Sequence, residues 1–222
     1  MTLHKQLQVV IKDGTPRIIW PGEPVYQSGK TYKIQVSDNN KSCRIKDSTG
    51  LVNIFLNKNR VPIELRPSYR TIKVKLDSEI KRYRLAFPYM QFFSVDTKSR
   101  DRATPGVTWS FKSISSWDDE VLVPRLPNVD PSSYICLGGD CPSDNVSMCN
   151  IFWSTYFYPY DMLGNYRYIG RTILKSLENW EQMSKKSKHP LEVFEHFDAE
   201  CSKSLLCFIL KLGGASLYDG YL

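Results

Sequence analysis

Turn residues cut the first ninety-five positions into short strand-like runs, and this constrains the fold more than any other feature. LQVVIK (7–12), PRIIW (16–20), TYKIQVS (31–37), SCRIKD (42–47), LVNIFLN (51–57), RTIKVKL (70–76) and RYRLAFPYMQFFSV (82–95) are rich in β-branched and aromatic residues. DGTP, PGEP, QSGK, SDNN and DSTG separate several of them. In TIKVKL, Ile72, Val74 and Leu76 alternate with Lys73 and Lys75, the pattern of an antiparallel sheet with one wet face. Pro88 would deny a ladder hydrogen bond inside FPYM, so that run is expected to bend or end there.

Helical periodicity comes only later. Residues 96–120 read as a polar loop bearing Pro and Gly, followed by an aromatic stretch, and VLVPRLPNV is extended and broken by two prolines. A helix is expected to begin within 145–157. The clearest one is NYRYIGRTILKSLENWEQMSKK, with Tyr166, Ile169, Ile173, Leu177 and Trp180 on one stripe and a lysine-rich last turn. Pro190 stops it, and LEVFEHFDAECSKSLLCFILKLGG reads as one or two short helices closing at Gly213-Gly214. Strands first and helices last predict an α+β fold. A sheet of at least four antiparallel strands from residues 30–95 is expected to lay one face on the helix at 167–187. The chain reads as a single domain, 1–222, with an N-terminal strand extension at 1–29 and a helical tail at 188–222.

With 41% hydrophobic and 13% aromatic residues the chain can bury a sizeable core, which argues against disorder. LLCFIL (205–210) falls far short of the roughly 20 apolar residues that span a bilayer. MTLHKQLQVVIKDG lacks the apolar core of a secretory signal, so a cytoplasmic protein is expected, free or within a virion or other assembly, with no membrane partner. In that compartment the six cysteines, at 43, 136, 141, 149, 201 and 207, are expected to be free thiols. Cys136, Cys141 and Cys149 are separated by four and seven residues, and His4, His189 and His196 are far off in sequence, which is not the paired spacing of a zinc site. No metal or cofactor is expected.

The charge is concentrated. Residues 41–84 hold 12 Lys/Arg against 4 Asp/Glu, a local +8 within a whole-chain +7, so the remainder sums to −1. Lys41, Arg44, Lys46, Lys73, Lys75, Arg82 and Arg84 are candidates for one basic sheet face. Such a face suits phosphates or an acidic protein, and it is equally an ordinary solvated surface. No phosphate loop, zinc finger or RNA-recognition motif accompanies it. Weak, sequence-blind binding of nucleic acid at low salt is the expectation.

RLPNVDPSSYICLGGDC (125–141) carries the sharpest motif. Pro127 and Asn128 precede Ile135, Cys136 and Leu137, with Cys136 eight positions after Asn128. The passage resembles the active-site segment of the ubiquitin-conjugating enzyme family, in which His-Pro-Asn is followed at this spacing by Ile-Cys-Leu. It is more similar to prokaryotic members encoded by plasmids and phages, including the B proteins of PRTRC systems, which share a leucine before Pro-Asn and a Cys-x-Gly after it. This chain has Leu126 in the place of the family histidine and Gly138 in the place of the family aspartate. The family's usual N-terminal helix has no counterpart, since 7–36 reads as strands. The resemblance implies a family-like core over 30–187 and a thioester-forming cysteine at Cys136. It also implies a ubiquitin-like protein and an ATP-consuming activating enzyme as partners.

The residue types suit that chemistry. Thioester transfer needs a thiolate, room for an extended tail and a donor near the oxyanion. Asn128 is the candidate donor, and Gly138 with Gly139 would let backbone approach the tail. The plainer alternatives are a buried Cys136 acting as a small hydrophobe and an Asn128 that bonds only backbone in a turn. A non-catalytic adaptor or assembly component with protein neighbours fits the same motif. The aromatic run IFWSTYFYPY (151–160) is expected in the core.

Overall fold

The computed structural model describes residues 17–18, 25–27, 30–36, 42–47, 53–57, 59–96, 103–124, 126–130, 132–158, 167–195 and 202–212. LQVVIK (7–12), Tyr166 and the Gly213-Gly214 pair lie outside them, as do the side chains of Ile169 and Ile173.

β1 (Arg17–Ile18) is a short strand whose partner comes later in the chain. β2 (Val25–Gln27), β3 (Lys30–Val36), β4 (Ser42–Asp47) and β5 (Asn53–Asn57) form an antiparallel meander in sequence order. The chain then starts new sheets. β6 (Ile63–Leu65) pairs with β1, and β7 (Ser68–Leu76) forms a hairpin with β8 (Glu79–Phe87). Pro88 separates β8 from β9 (Tyr89–Asp96), and the chain bends there from one sheet into the next. β9 lies between β6 and β10 (Ala103–Ser110), giving the order β1-β6-β9-β10. A two-residue pair joins β11 (Glu120–Val121) to β13 (Lys203–Ser204). Antiparallel sheets with a few helices make the described chain an α+β fold.

Two expectations need correction. Residues 30–95 do not form one sheet, because the buried turn around Arg60, Val61 and Pro62 ends the first meander before β6 begins. The polar loop read at 96–120 contains β10, buried along its whole length. Pro105 is compatible with this strand because its carbonyl, the acceptor for Ile135 N, faces away from β9. The missing N–H is therefore not withdrawn from the β9 ladder. Gly106 lies directly across from Phe93, and a Cβ there would meet Phe93 Cε2 at 2.7 Å and Leu212 Cδ1 at 2.6 Å.

β9 explains why the sheet has a core on each side. Met90 and Phe92 point into one cluster with Ile63, Leu65, Val107 and Trp109. Phe93 and Val95 point into the other, with Ile45, Ile54 and Leu56 from the first meander. The two faces of this strand are thus both covered. α3 (Leu205–Leu212) fills the second cluster with Leu205, Leu206, Phe208, Ile209 and Leu210, so the expected helical tail is core.

α1 (Asn145–Ser154) is followed by β12 (Tyr156–Phe157), which runs parallel to β7 at its outer edge. Phe152 and Phe157 are buried in the first cluster, while Ile151 and Tyr156 are exposed. α2 (Arg167–Lys186) lies along β8. Its Leu177 and Trp180 enter the first cluster, and the Trp180 ring stands 5.2 Å from Phe87, 5.9 Å from Trp109 and 6.0 Å from Phe194. Phe194 belongs to a 3-10 turn at Pro190–Phe194. α2 also closes an open sheet edge. Arg84 N donates to Glu181 Oε1 at 2.8 Å and Ala86 N to Ser184 Oγ at 2.8 Å, so outward N–H groups of β8 are satisfied by one helix turn. The helix is docked on the β7–β8 hairpin of a three-stranded sheet, along its edge and through Leu177 and Trp180, where the face of a sheet of at least four strands was expected. Among the described residues no helix is long and apolar enough to cross a membrane.

Candidate functional site

The eight-position spacing of Asn128 and Cys136 has a structural cause. Cys136 N donates to Asn128 O at 2.9 Å, Val129 bridges Ile135, and Asp130 N donates to Tyr134 O at 3.0 Å. These are successive rungs of a small hairpin whose described loop residues are Ser132 and Ser133. Ser133 takes φ 71°, the left-handed conformation that ends a three-residue hairpin loop. The Asp130 carboxylate accepts from Ser132 N at 2.6 Å and Tyr134 N at 3.1 Å, and it also bonds the Ser132 hydroxyl. The sequence VDPSSY therefore folds locally into a turn that brings Asn128 beside Cys136.

The hairpin is fixed to the sheet by Val107 N donating to Ser133 O (2.9 Å) and by Ile135 N donating to Pro105 O (3.1 Å). Leu126, Pro127, Val129, Ile135 and Leu137 are buried on or near its arms. Cys136 is half-buried, between the buried Ile135 and the buried Leu137. Beyond Leu137 the chain surfaces, and Gly138, Gly139 and Asp140 are all exposed. Gly138 has φ +72°, which a side chain rarely adopts, and a Cβ at Gly138 or Gly139 would meet nothing within 4 Å. Open surface therefore adjoins the cysteine on its C-terminal side.

Asn128 is 1% exposed. Its Nδ2 donates to Cys136 O at 3.4 Å, and its Oδ1 is buried without a partner among the described residues. The amide is thus turned toward the cysteine's own backbone, and 3.4 Å is longer than an ordinary N–H···O bond. In this arrangement Asn128 positions Cys136. An oxyanion-donor role would require the amide to release that carbonyl.

The neighbouring cysteines differ from Cys136 in their surroundings. Burial pushes the Cys149 thiol up to about 12, against smaller opposing effects of Arg70 and Trp153. Burial also raises Cys141, although Arg60 Nη1 approaches its sulfur at 3.6 Å and acts in the opposite direction. Cys207 is buried on α3. His189 caps the 3-10 turn, its Nδ1 accepting from Leu191 N at 3.3 Å. His4 and His196 lie outside the described residues.

The segment after Cys136 is tethered by groups that no sequence motif announces. Arg60 Nη1 donates to Pro142 O at 2.6 Å and to Ser94 Oγ at 2.9 Å. Ser94 Oγ donates to Asn145 Oδ1 at 2.6 Å, and Asn145 Nδ2 donates to Val61 O at 2.8 Å. Asp144 caps α1 by accepting from Ser147 N at 2.7 Å. A Ser-Asp-Asn run before a mixed apolar stretch is an N-cap signal, and it could have marked this helix start. Arg60 and Ser94 carried no such signal.

The basic residues divide between two sheets. Lys41 lies outside the described residues; Arg44 is exposed and Lys46 half-buried on β4. Lys73 and Lys75 are half-buried on β7, and Arg82 and Arg84 are exposed on β8. The expected single basic sheet face is therefore two, because a new sheet begins after β5. Lys73 stands directly opposite Arg82.

No protein-family model matches the chain, and no curated protein or solved structure is significantly similar to it.

Proposed function

We propose that this chain is a ubiquitin-conjugating-enzyme-like protein that carries a ubiquitin-like modifier as a thioester on Cys136. The observation that carries this reading is the hairpin of residues 128–136, which brings Asn128 beside a half-exposed Cys136 at the edge of an open glycine shoulder. The Cys136 thiolate attacks the carbonyl of a modifier thioester on an activating enzyme. A new C–S bond forms, and the activating enzyme's thiol leaves. An amine then attacks the Cys136 thioester, forms an amide and releases the thiol. ATP is consumed by the activating partner, and the chain itself needs no cofactor. Gly138 and Gly139 leave room for an extended tail, and Asn128 fixes the cysteine's backbone.

The test is an adduct. Full-length protein isolated without reductant from cells that make it should carry a species released by thiols, and Cys136→Ala should abolish it. Cys136→Ser should retain the modifier as an ester that thiols release far more slowly. An adduct that survives Cys136→Ala would refute the assignment.

A second reading, a non-catalytic adaptor of the same fold, is favoured by the buried Asn128 amide and by Leu126 in the place of the family histidine. Its expected signature is a stable complex with protein neighbours that Cys136→Ala leaves intact.

A further inference from the structure

The three-stranded sheet ordered β12-β7-β8 has an inner face in the first core and an outer face of a different character. Ile72 and Val74 point inward with Phe157. The cross-strand register therefore sets Thr71, Lys73 and Lys75 of β7 outward with Ile80, Arg82 and Arg84 of β8, while Tyr69, at the end of this row, is half-buried against the first core and donates its hydroxyl to Ser187 O at 2.8 Å. Tyr156 of β12 is aligned with Lys73 and is 39% exposed; Ile80 is 46% exposed. Four cations thus occupy three successive rungs, about 14 Å of strand. No carboxylate shares this face among the described residues.

The cations are interleaved with rings. Lys73 Nζ lies 6.0 Å from the Tyr156 ring centre, and the Arg84 guanidinium lies 5.2 Å from that of Tyr69. The bordering acids of α2 are already paired: Glu178 with Lys81 at 3.7 Å, and Glu181 with Lys185 at 2.7 Å and with the backbone N–H, not the guanidinium, of Arg84. Lys73 directly opposite Arg82 is a like-charge pair, which disfavours the sheet when nothing anionic lies over it.

We propose that this face binds single-stranded nucleic acid, with Lys73, Lys75, Arg82 and Arg84 on phosphates and Tyr156 stacking an unpaired base. Charge complementarity selects a polyanion. A flat sheet face with an exposed ring beside the cations selects one whose bases are free to stack. Recognition of this kind is indifferent to sequence, because it uses the backbone charge and a π-face that every base has.

The test is fluorescence anisotropy of the full chain with a labelled oligothymidylate of about 15 nucleotides and a duplex of equal length. Four phosphate contacts on a single strand predict a log-affinity against log-salt slope of about −3, hence a loss of about 50-fold between about 50 and 200 mM salt. Lys73→Gln with Arg82→Gln should bring the slope to about −1.4. Tyr156→Leu should weaken single-strand binding about fivefold or more without changing the slope. Arg44→Gln with Lys46→Gln, on the other sheet, should change neither. Thermal melts establish that the variants fold, and the slope of the unaltered protein needs no variant. The proposal is overturned by absence of binding at about 50 mM salt. It is equally overturned if the Arg44/Lys46 variant alone abolishes binding, or if the duplex binds as tightly as the single strand. Displacement of the oligonucleotide by polyglutamate at equal charge would overturn it in favour of an acidic protein.

Discussion

Truncating Asn145 to alanine should destabilise the protein by about 2–5 kcal/mol, a large share of the roughly 5–15 kcal/mol that holds a domain folded. The side chain is 1% exposed and makes two hydrogen bonds, donating to Val61 O at 2.8 Å and accepting from Ser94 Oγ at 2.6 Å. Val61 and Ser94 are both wholly buried. Asn145→Ala takes the donor from the buried Val61 carbonyl, at about 1–3 kcal/mol, and the acceptor from the Ser94 hydroxyl, which keeps its bond from Arg60 and so costs about 1–2 kcal/mol. Ser94→Ala removes one of the same partners, so the two losses overlap. The double variant should therefore cost less than the sum of the singles by about 0.5–3 kcal/mol. Urea denaturation followed by circular dichroism gives all the free energies required, provided the m-values agree. A cost for Asn145→Ala below about 0.5 kcal/mol, or strict additivity, would refute the network as the anchor of the segment after Cys136.

Ser184→Ala leaves the buried Ala86 N–H without its acceptor and should cost about 1–3 kcal/mol in the same denaturation assay, whereas Glu181→Ala, which faces the exposed Arg84, should cost less than about 1 kcal/mol. Gly106→Ala should cost about 1–3 kcal/mol, because the new Cβ must displace Phe93 and Leu212; an unchanged midpoint would mean that the packing there yields freely. Burial alone would raise the Asp119 carboxyl, but hydrogen bonds from Ser115 N at 2.6 Å and Ser116 N at 3.0 Å prevail and hold it below its ordinary value. A depressed folded pKa contributes stability above the unfolded carboxylate value of about 3.9 and loses it as pH falls through the folded one. The deficit of Asp119→Ala should accordingly be present at neutral pH and shrink in acid, and a deficit independent of pH would contradict this.

Local alternation was legible where one face of a strand is wet. SCRIKD coincides with β4, and TIKVKL falls inside β7 with Ile72 and Val74 buried. It failed where both faces are covered. β10 contains Pro105 and Gly106, residues that normally punctuate loops, yet it is fully buried because its proline faces away from the ladder and its glycine makes room for Phe93. The division into separate sheets depends on contacts between residues far apart in sequence, such as Glu64 with Gln91, and no local pattern encodes those. At the candidate site, the motif spacing correctly anticipated that Asn128 and Cys136 meet. The direction of the Asn128 amide, toward Cys136 O, is set by the turn at Asp130 and could not be read from spacing.

Whether Cys136 is an acyl acceptor can be measured by thioester exchange without any partner protein. The folded chain is incubated with a glycine-terminated peptide bearing a small-thiol thioester; a cysteine thiolate attacks the carbonyl and the small thiol leaves. Intact mass and peptide mapping then locate the acyl group among the cysteines. The expected result is a thiol-reversible adduct on Cys136, absent in Cys136→Ala, with the buried Cys149 and Cys207 acylated only after unfolding. Acylation of Cys141 or Cys149 ahead of Cys136 in the folded protein would contradict the account, as would a Cys136 that reacts only when the chain is denatured.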